Sequence, residues 1–121
     1  MHNFKELKIW QKAIEFSLEV YRLTAQFPTE EKYSLVSQLR RASVSIPSNI
    51  AEGSGRNGDR EFIHFLSLSI GSGYEAETQL IIANRLKYIS DVELEEAIIK
   101  ITEIQRMLHS FSETLKAKTC K

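Results

Sequence analysis

Gln38-Leu39-Arg40-Arg41-Ala42-Ser43-Val44-Ser45-Ile46-Pro47-Ser48-Asn49-Ile50-Ala51-Glu52-Gly53-Ser54-Gly55-Arg56 is the stretch whose reading decides the fold. Apolar and small positions keep helical spacing on both sides of its proline: Val36, Leu39, Ser43, Ile46 and Ile50 fall in one row. Pro47 has no N–H to donate, and its ring presses on the carbonyl of Ser43. A kink inside the helix is therefore expected. The hydroxyls of Ser43, Ser45 and Ser48 are close enough in sequence to serve the carbonyls that a kink frees. Asn49 lies on the same side as Ile46 and Ala42 and needs partners if buried. Its expected role is to fix the register of the kink. Gly53 and Gly55 are expected to stop the helix.

Working outward, three more helices flank this one. Upstream, Ile9, Ala13, Phe16, Val20, Leu23 and Phe27 step by four and three. Leu7, Trp10, Ile14, Leu18 and Tyr21 form a second seam beside the first. Two seams on one helix mean two packing surfaces, one for the core and one for a wider core or another subunit. Phe27-Pro28 ends this helix, because a residue before proline avoids helical angles. Thr29 is expected to cap the second helix, with Glu30 and Glu31 near its positive end.

Downstream, residues 53–58 read as a loop, with Asn57 or Asp59 capping a third helix. Phe62, Leu66, Ser69, Gly73, Ala76, Leu80 and Ala83 form its apolar row. Its middle is small: Ser67, Ser69, Gly71, Ser72 and Gly73. Each glycine inside a helix costs about 1 kcal/mol against alanine, so a neighbouring helix is expected to approach closely there. Ser90 and Glu93 make a capping box for the last helix. Its row is Leu94, Ile98, Ile101, Gln105, Leu108, Ser112 and Leu115, and residues 116–121 are expected to fray. The expectation is an all-α, up-down-up-down antiparallel four-helix bundle, with helices at about 8–26, 30–52, 60–84 and 91–116 and a proline kink in helix 2. One domain accounts for residues 1–121.

Composition narrows the function classes. With 16 Lys plus Arg against 16 Asp plus Glu the formal net charge is zero, unlike a generic nucleic-acid coat, which is basic overall. The single cysteine, Cys120, excludes a disulfide framework within the chain and reads as a tail thiol. No run approaches the roughly 18 apolar residues of a membrane span. Residues 1–11 lack the hydrophobic core of a signal peptide, so a cytoplasmic location is expected.

The signature Gln38-Leu39-Arg40-Arg41-Ala42, followed by Ser45-Ile46-Pro47-Ser48-Asn49-Ile50-Ala51-Glu52-Gly53, resembles that of the four-helix-bundle proteins named after intervening sequences in bacterial 23S rRNA genes. Leu7, Trp10, Ala13 and Phe27-Pro28 fit the family's first helix. Glu61-Phe62, Gly71-Ser72, Glu75 and Glu77-Thr78-Gln79-Leu80 fit its third. The likeness covers about residues 4 to 115. Gly73 departs from it, since an apolar residue is usual there. The resemblance implies a homopentamer. It extends to the accessory variability determinant proteins of diversity-generating retroelements, pentameric bundles that bind nucleic acid and a reverse transcriptase. Those proteins are strongly basic, whereas this chain is neutral.

Candidate sites are few. Glu61-Phe62-Ile63-His64 is a Glu-x-x-His of the kind di-iron bundles use in pairs, but His109 has Arg106 three residues before it, so half the ligand set is missing. Gly53-Ser54-Gly55-Arg56 lacks the Gly-Lys-Ser or Gly-Lys-Thr end of a phosphate loop. No serine sits in a context that marks an activated nucleophile. These readings point to a non-enzyme without metal or cofactor. Arg40, Arg41, Arg56 and Arg60 are the candidate nucleic-acid contacts, repeated around an oligomer. Against them stands a structural reading, in which Arg56 and Arg60 form a helix-spaced pair balanced by Glu52, Asp59 and Glu61. No aromatic residue is interleaved with these arginines in sequence, so base stacking is not expected. Pro47, Asn49, Glu52 and Gly53 are read as a structural motif. The alternative to a nucleic-acid binder is a scaffold that presents its surface to another polypeptide.

Overall fold

The computed structural model describes residues 3–119, so the reading of Cys120 lies outside the described residues. Four α-helices follow a 3-10 turn at Phe4–Glu6: α1 Lys8–Thr24, α2 Leu35–Ser54, α3 Asp59–Arg85 and α4 Asp91–Thr119. A second 3-10 turn, Thr29–Glu31, lies between α1 and α2. Strands are absent among the described residues. Each helix packs on its neighbour in sequence, and α1 packs on α4 to close the ring.

Cross-helix contacts give the directions. Residues 17 and 24 of α1 meet 43 and 40 of α2. Residues 69 and 72 of α3 meet 46 and 45 of α2. Lys12 and Glu19 of α1 meet Glu103 and Lys100 of α4. Each pair runs antiparallel. The expected rows line the core: Ile9, Ala13, Phe16, Val20, Leu23 and Phe27 are all buried, as are Leu39, Ile46 and Ile50 of α2 and Leu66, Leu80, Ile101 and Leu108 opposite them.

α2 continues through Pro47 to Ser54. The carbonyl that Pro47 leaves without a helical N–H, that of Ser43, accepts the Ser17 hydroxyl of α1 at 2.9 Å. Its partner therefore comes from another helix, whereas the sequence pointed to local serines. The Ser43 hydroxyl instead donates back to the Arg40 carbonyl at 2.9 Å. Ser69 of α3 donates to the Ile46 carbonyl at 2.9 Å. Asn49 donates its amide to the carbonyl and hydroxyl oxygens of Ser45, at 2.8 and 2.9 Å, and Ser72 donates to the same hydroxyl at 2.8 Å.

Gly53 does not stop α2; it lies buried in the last turn, and Gly55 follows as C-cap. A Cβ at Gly53 would lie 2.7 Å from Phe65 Cβ and 2.8 Å from Phe62 Cδ1, so its role is the close approach of α3. Gly73 behaves alike: a Cβ there would lie 2.6 Å from the Gln105 side-chain carbon. Gln105 of α4 reaches into that space and donates to the Ile70 carbonyl at 2.8 Å. Gly71 faces open space, so the close approach expected over both glycines holds at only one.

The helix boundaries hold three corrections. α2 begins at Leu35, and Thr29 sits in the 3-10 turn instead of capping it. Glu31 supplies the cap: one carboxylate oxygen accepts the Leu35 N–H at 3.3 Å and the other accepts the Tyr88 hydroxyl at 2.9 Å. Phe27 packs on the Tyr88 ring, with centroids 5.3 Å apart, so tertiary contacts hold this segment off the helix. At α3 the N-cap is Gly58, at φ 102°, with no side-chain cap bond; neither Asn57 nor Asp59 fills that place. Residues 116–119 continue α4 instead of fraying, with Lys116 beside Glu113 at 3.4 Å. The Ser90–Glu93 capping box forms as expected, both bonds at about 3 Å.

Candidate nucleic-acid interface

The antiparallel register of α1 and α2 sets Tyr21 and Thr24 opposite Arg40. Thr24 donates its hydroxyl to the Val20 carbonyl at 2.7 Å and accepts Arg40 Nε at 2.8 Å. That bond holds the guanidinium over the Tyr21 ring, 4.4 Å from its centroid. One turn of chain earlier than α2, Lys32 and Tyr33 project from the tight bend that precedes Leu35. Tyr33 is 88 % exposed, and Lys32 Nζ lies 5.4 Å from its ring centroid. Arg41, exposed, donates to the Ser37 hydroxyl at 2.9 Å.

These side chains line one open groove of about 450 Å³, floored by Val36 and Val44. Lys32, Arg40 and Arg41 are its charged members, and among the described residues no carboxylate lines it. The nearby Glu31 carboxylate is committed to Leu35 and Tyr88. That hydrogen bond to the carboxylate raises the Tyr88 phenol above its ordinary value, with burial adding to the effect.

The other two arginines sit elsewhere. Arg56 lies in the loop between α2 and α3, paired with Glu52 at 2.7 Å and stacked 4.9 Å from the Phe65 ring centroid. Arg60 is exposed in the first turn of α3, between Asp59 and Glu61. The helix-spaced Arg56–Arg60 pair therefore does not form, because the Gly58 turn separates them. Along α2 the rise from Arg41 to the loop is about 20 Å. Arg40 joins Arg41, and Arg56 stays near Arg60, as two separate groups. Although no aromatic residue is interleaved with these arginines in sequence, Tyr21 lies under Arg40, Phe65 under Arg56, and Tyr33 lines the same groove as Arg40 and Arg41. Lys32, Tyr21 and Tyr33 were missed because they approach Arg40 and Arg41 only across the α1–α2 connection. A register set from the Phe27-Pro28 turn points Tyr21 at Arg40 and is the signal that could have found them.

Around Glu61-Phe62-Ile63-His64, His64 packs edge-on against Phe65, 5.6 Å between centroids. His109 lies 3.3 Å from the Tyr74 hydroxyl. Among the described residues no three of His, Cys, Asp and Glu gather as a metal site would require.

The sequence profile of the 23S rRNA-intervening sequence proteins matches residues 5–110, most of the chain. This chain belongs to that family. A crystal structure described as a protein of unknown function from the S23 ribosomal protein family, from Bacteroides thetaiotaomicron, is similar in fold: TM-score 0.80, 26 % identity, covering 87 % of this chain and 95 % of that one. No curated protein matches the chain. In this intervening-sequence protein the signature residues take structural places. Pro47 is buried, Asn49 clamps Ser45, Gly53 admits Phe62 and Phe65, and Glu52 holds Arg56.

Proposed function

We propose that this family member is a non-enzymatic, self-assembling bundle that binds nucleic acid weakly through its phosphates. The observation that carries the reading is the groove in which Lys32, Arg40 and Arg41 meet without a lining carboxylate, on a chain of zero net charge. Local concentration of cations, not total charge, is what a phosphate backbone meets. The non-enzymatic part rests on where the core hydroxyls spend their protons. Ser17, Ser43 and Ser69 each donate to a main-chain carbonyl, which leaves them unsuited to act as nucleophiles. A cytoplasmic location belongs to the same reading.

Self-assembly is supported by the part of the second seam of α1 from Leu7 to Leu18, which leaves Tyr21 to the groove. Leu7, Trp10 and Ile14 are half-buried, and Leu18 is 65 % exposed. A cyclic ring buries such a seam in a heterologous interface, and the family resemblance supplies five as its number. Light scattering at micromolar concentration is expected to give the mass of a pentamer; a monomer overturns this part. For nucleic acid, affinity for duplex DNA and for single-stranded RNA is expected to fall steeply from low to physiological salt. Absence of binding to both at tens of micromolar protein and low salt overturns the reading.

A protein-binding scaffold is the second reading. Ile82 of α3, Leu86 just after it, and Val92 and Ile99 of α4 are all exposed apolar side chains in the half of the bundle away from Arg56. If nucleic acid does not bind, this group is the place to look for a partner.

A further inference from the structure

We propose that the α1–α2 groove is a site for single-stranded nucleic acid, with a base stacked on Tyr33 and its flanking phosphates held by Lys32 and Arg41. The proposal rests on the phosphate-binding reading above and adds to it a strand preference and a position. A duplex covers the faces of its bases with their neighbours, whereas a single strand offers them to any exposed ring. Tyr33 is such a ring: it stands 88 % exposed on the bend before α2, with Lys32 beside it. The second aromatic surface is already built. Arg40, pinned by Thr24, has its guanidinium carbon 4.4 Å from the centroid of the Tyr21 ring, which remains 44 % exposed. Bases stack on guanidinium planes as they do on tyrosines. The groove's volume of about 450 Å³ lies within the range of ligand clefts. Its cations complement a polyanion, and its lining holds no carboxylate to repel one. A polypeptide strand of ordinary charge gains nothing from that excess.

The test is a fluorescence-anisotropy titration of the full chain at about 50 mM salt, against a labelled oligouridylate of about 12 nucleotides and a duplex DNA of the same length. Tyr33→Ala is expected to weaken single-strand binding by about fivefold or more while leaving duplex binding unchanged. Tyr33→Phe, which keeps the ring and removes the hydroxyl, is expected to keep wild-type affinity. Arg41→Ala is expected to weaken both ligands and to lower the salt slope by about 1. Tyr33 makes no part of the core, so thermal unfolding of these variants should match wild type. If wild type binds the oligouridylate and Tyr33→Ala binds it equally well, the stacking of a base on Tyr33 is wrong while the phosphate reading stands. If wild type binds neither ligand, the phosphate reading fails and takes the groove with it.

Discussion

Two polar regions of α2 differ in where their polar groups point. Around Pro47, Ser17, Ser43, Ser45, Asn49, Ser69 and Ser72 bond to one another or to main-chain carbonyls, inside the contact of three helices. Two turns earlier, Arg40, Arg41 and the neighbouring Lys32 turn their charges to solvent beside two exposed tyrosines. The first region uses its polarity to hold a backbone together, whereas the second spends one bond each on Thr24 and Ser37 and keeps its net charge unpaired by any lining carboxylate. The most recognisable part of the sequence is thus the structural one. A proline in a buried helix demands a compensating donor, and small residues demand a close neighbour, so the whole segment is constrained by packing.

Substitutions at the glycines probe the packed region first. Gly53→Ala should destabilise by about 1–3 kcal/mol in urea unfolding, because the new methyl meets Phe65 Cβ, which is fixed to its backbone and cannot yield. Gly71→Ala, on an open face of α3, should do the opposite and stabilise by up to about 1 kcal/mol. Equal signs for the two would remove the distinction between a close approach and an ordinary helical glycine.

Outside the core, charge matters less. Arg22 and Lys100 bond the Glu19 carboxylate and hold it below the ordinary carboxylate range, although its partial burial acts the other way. A depressed folded value stabilises the fold above the ordinary carboxylate pKa, and that contribution is lost as pH falls through the folded one. Glu19→Gln should therefore cost under about 1 kcal/mol near neutrality and nothing at acid pH, read as a shallower acid limb of stability against pH. In the groove, Tyr33→Ala should change stability by less than about 0.5 kcal/mol, since the ring is exposed. A large loss there would make the groove part of the fold and erase its contrast with the Pro47 region.

The fold was legible because its rows repeat at helical spacing: the rows headed by Ile9, Val36 and Phe62 are buried nearly throughout, and the Ser90–Glu93 box marks the start of α4. The start of α2 was not legible, because Glu31 and Phe27 are held by Tyr88, more than fifty residues away, and no local pattern records that. The Ser17–Ser43 bond was hidden for the same reason. Arg40 and Arg41 were legible as candidates, but their surroundings were not. Tyr21 looked like one more apolar position of a seam, and Tyr33 like a loop residue, until the turn between α1 and α2 brought them together. Gly73 looked like a defect in a row, yet it is the space that Gln105 fills.

The claim that the Pro47 segment is a structural device reduces to one hydrogen bond. If Ser17 stands in for the N–H that Pro47 lacks, its value depends on the proline. A double-mutant cycle of Ser17→Ala and Pro47→Ala, followed by urea unfolding, measures that dependence. Ser17→Ala alone should cost about 1–3 kcal/mol, because it leaves the buried Ser43 carbonyl unpaired. In the Pro47→Ala background the restored N–H can serve that carbonyl, so the same substitution should cost less than half as much. An equal cost in both backgrounds would contradict the account.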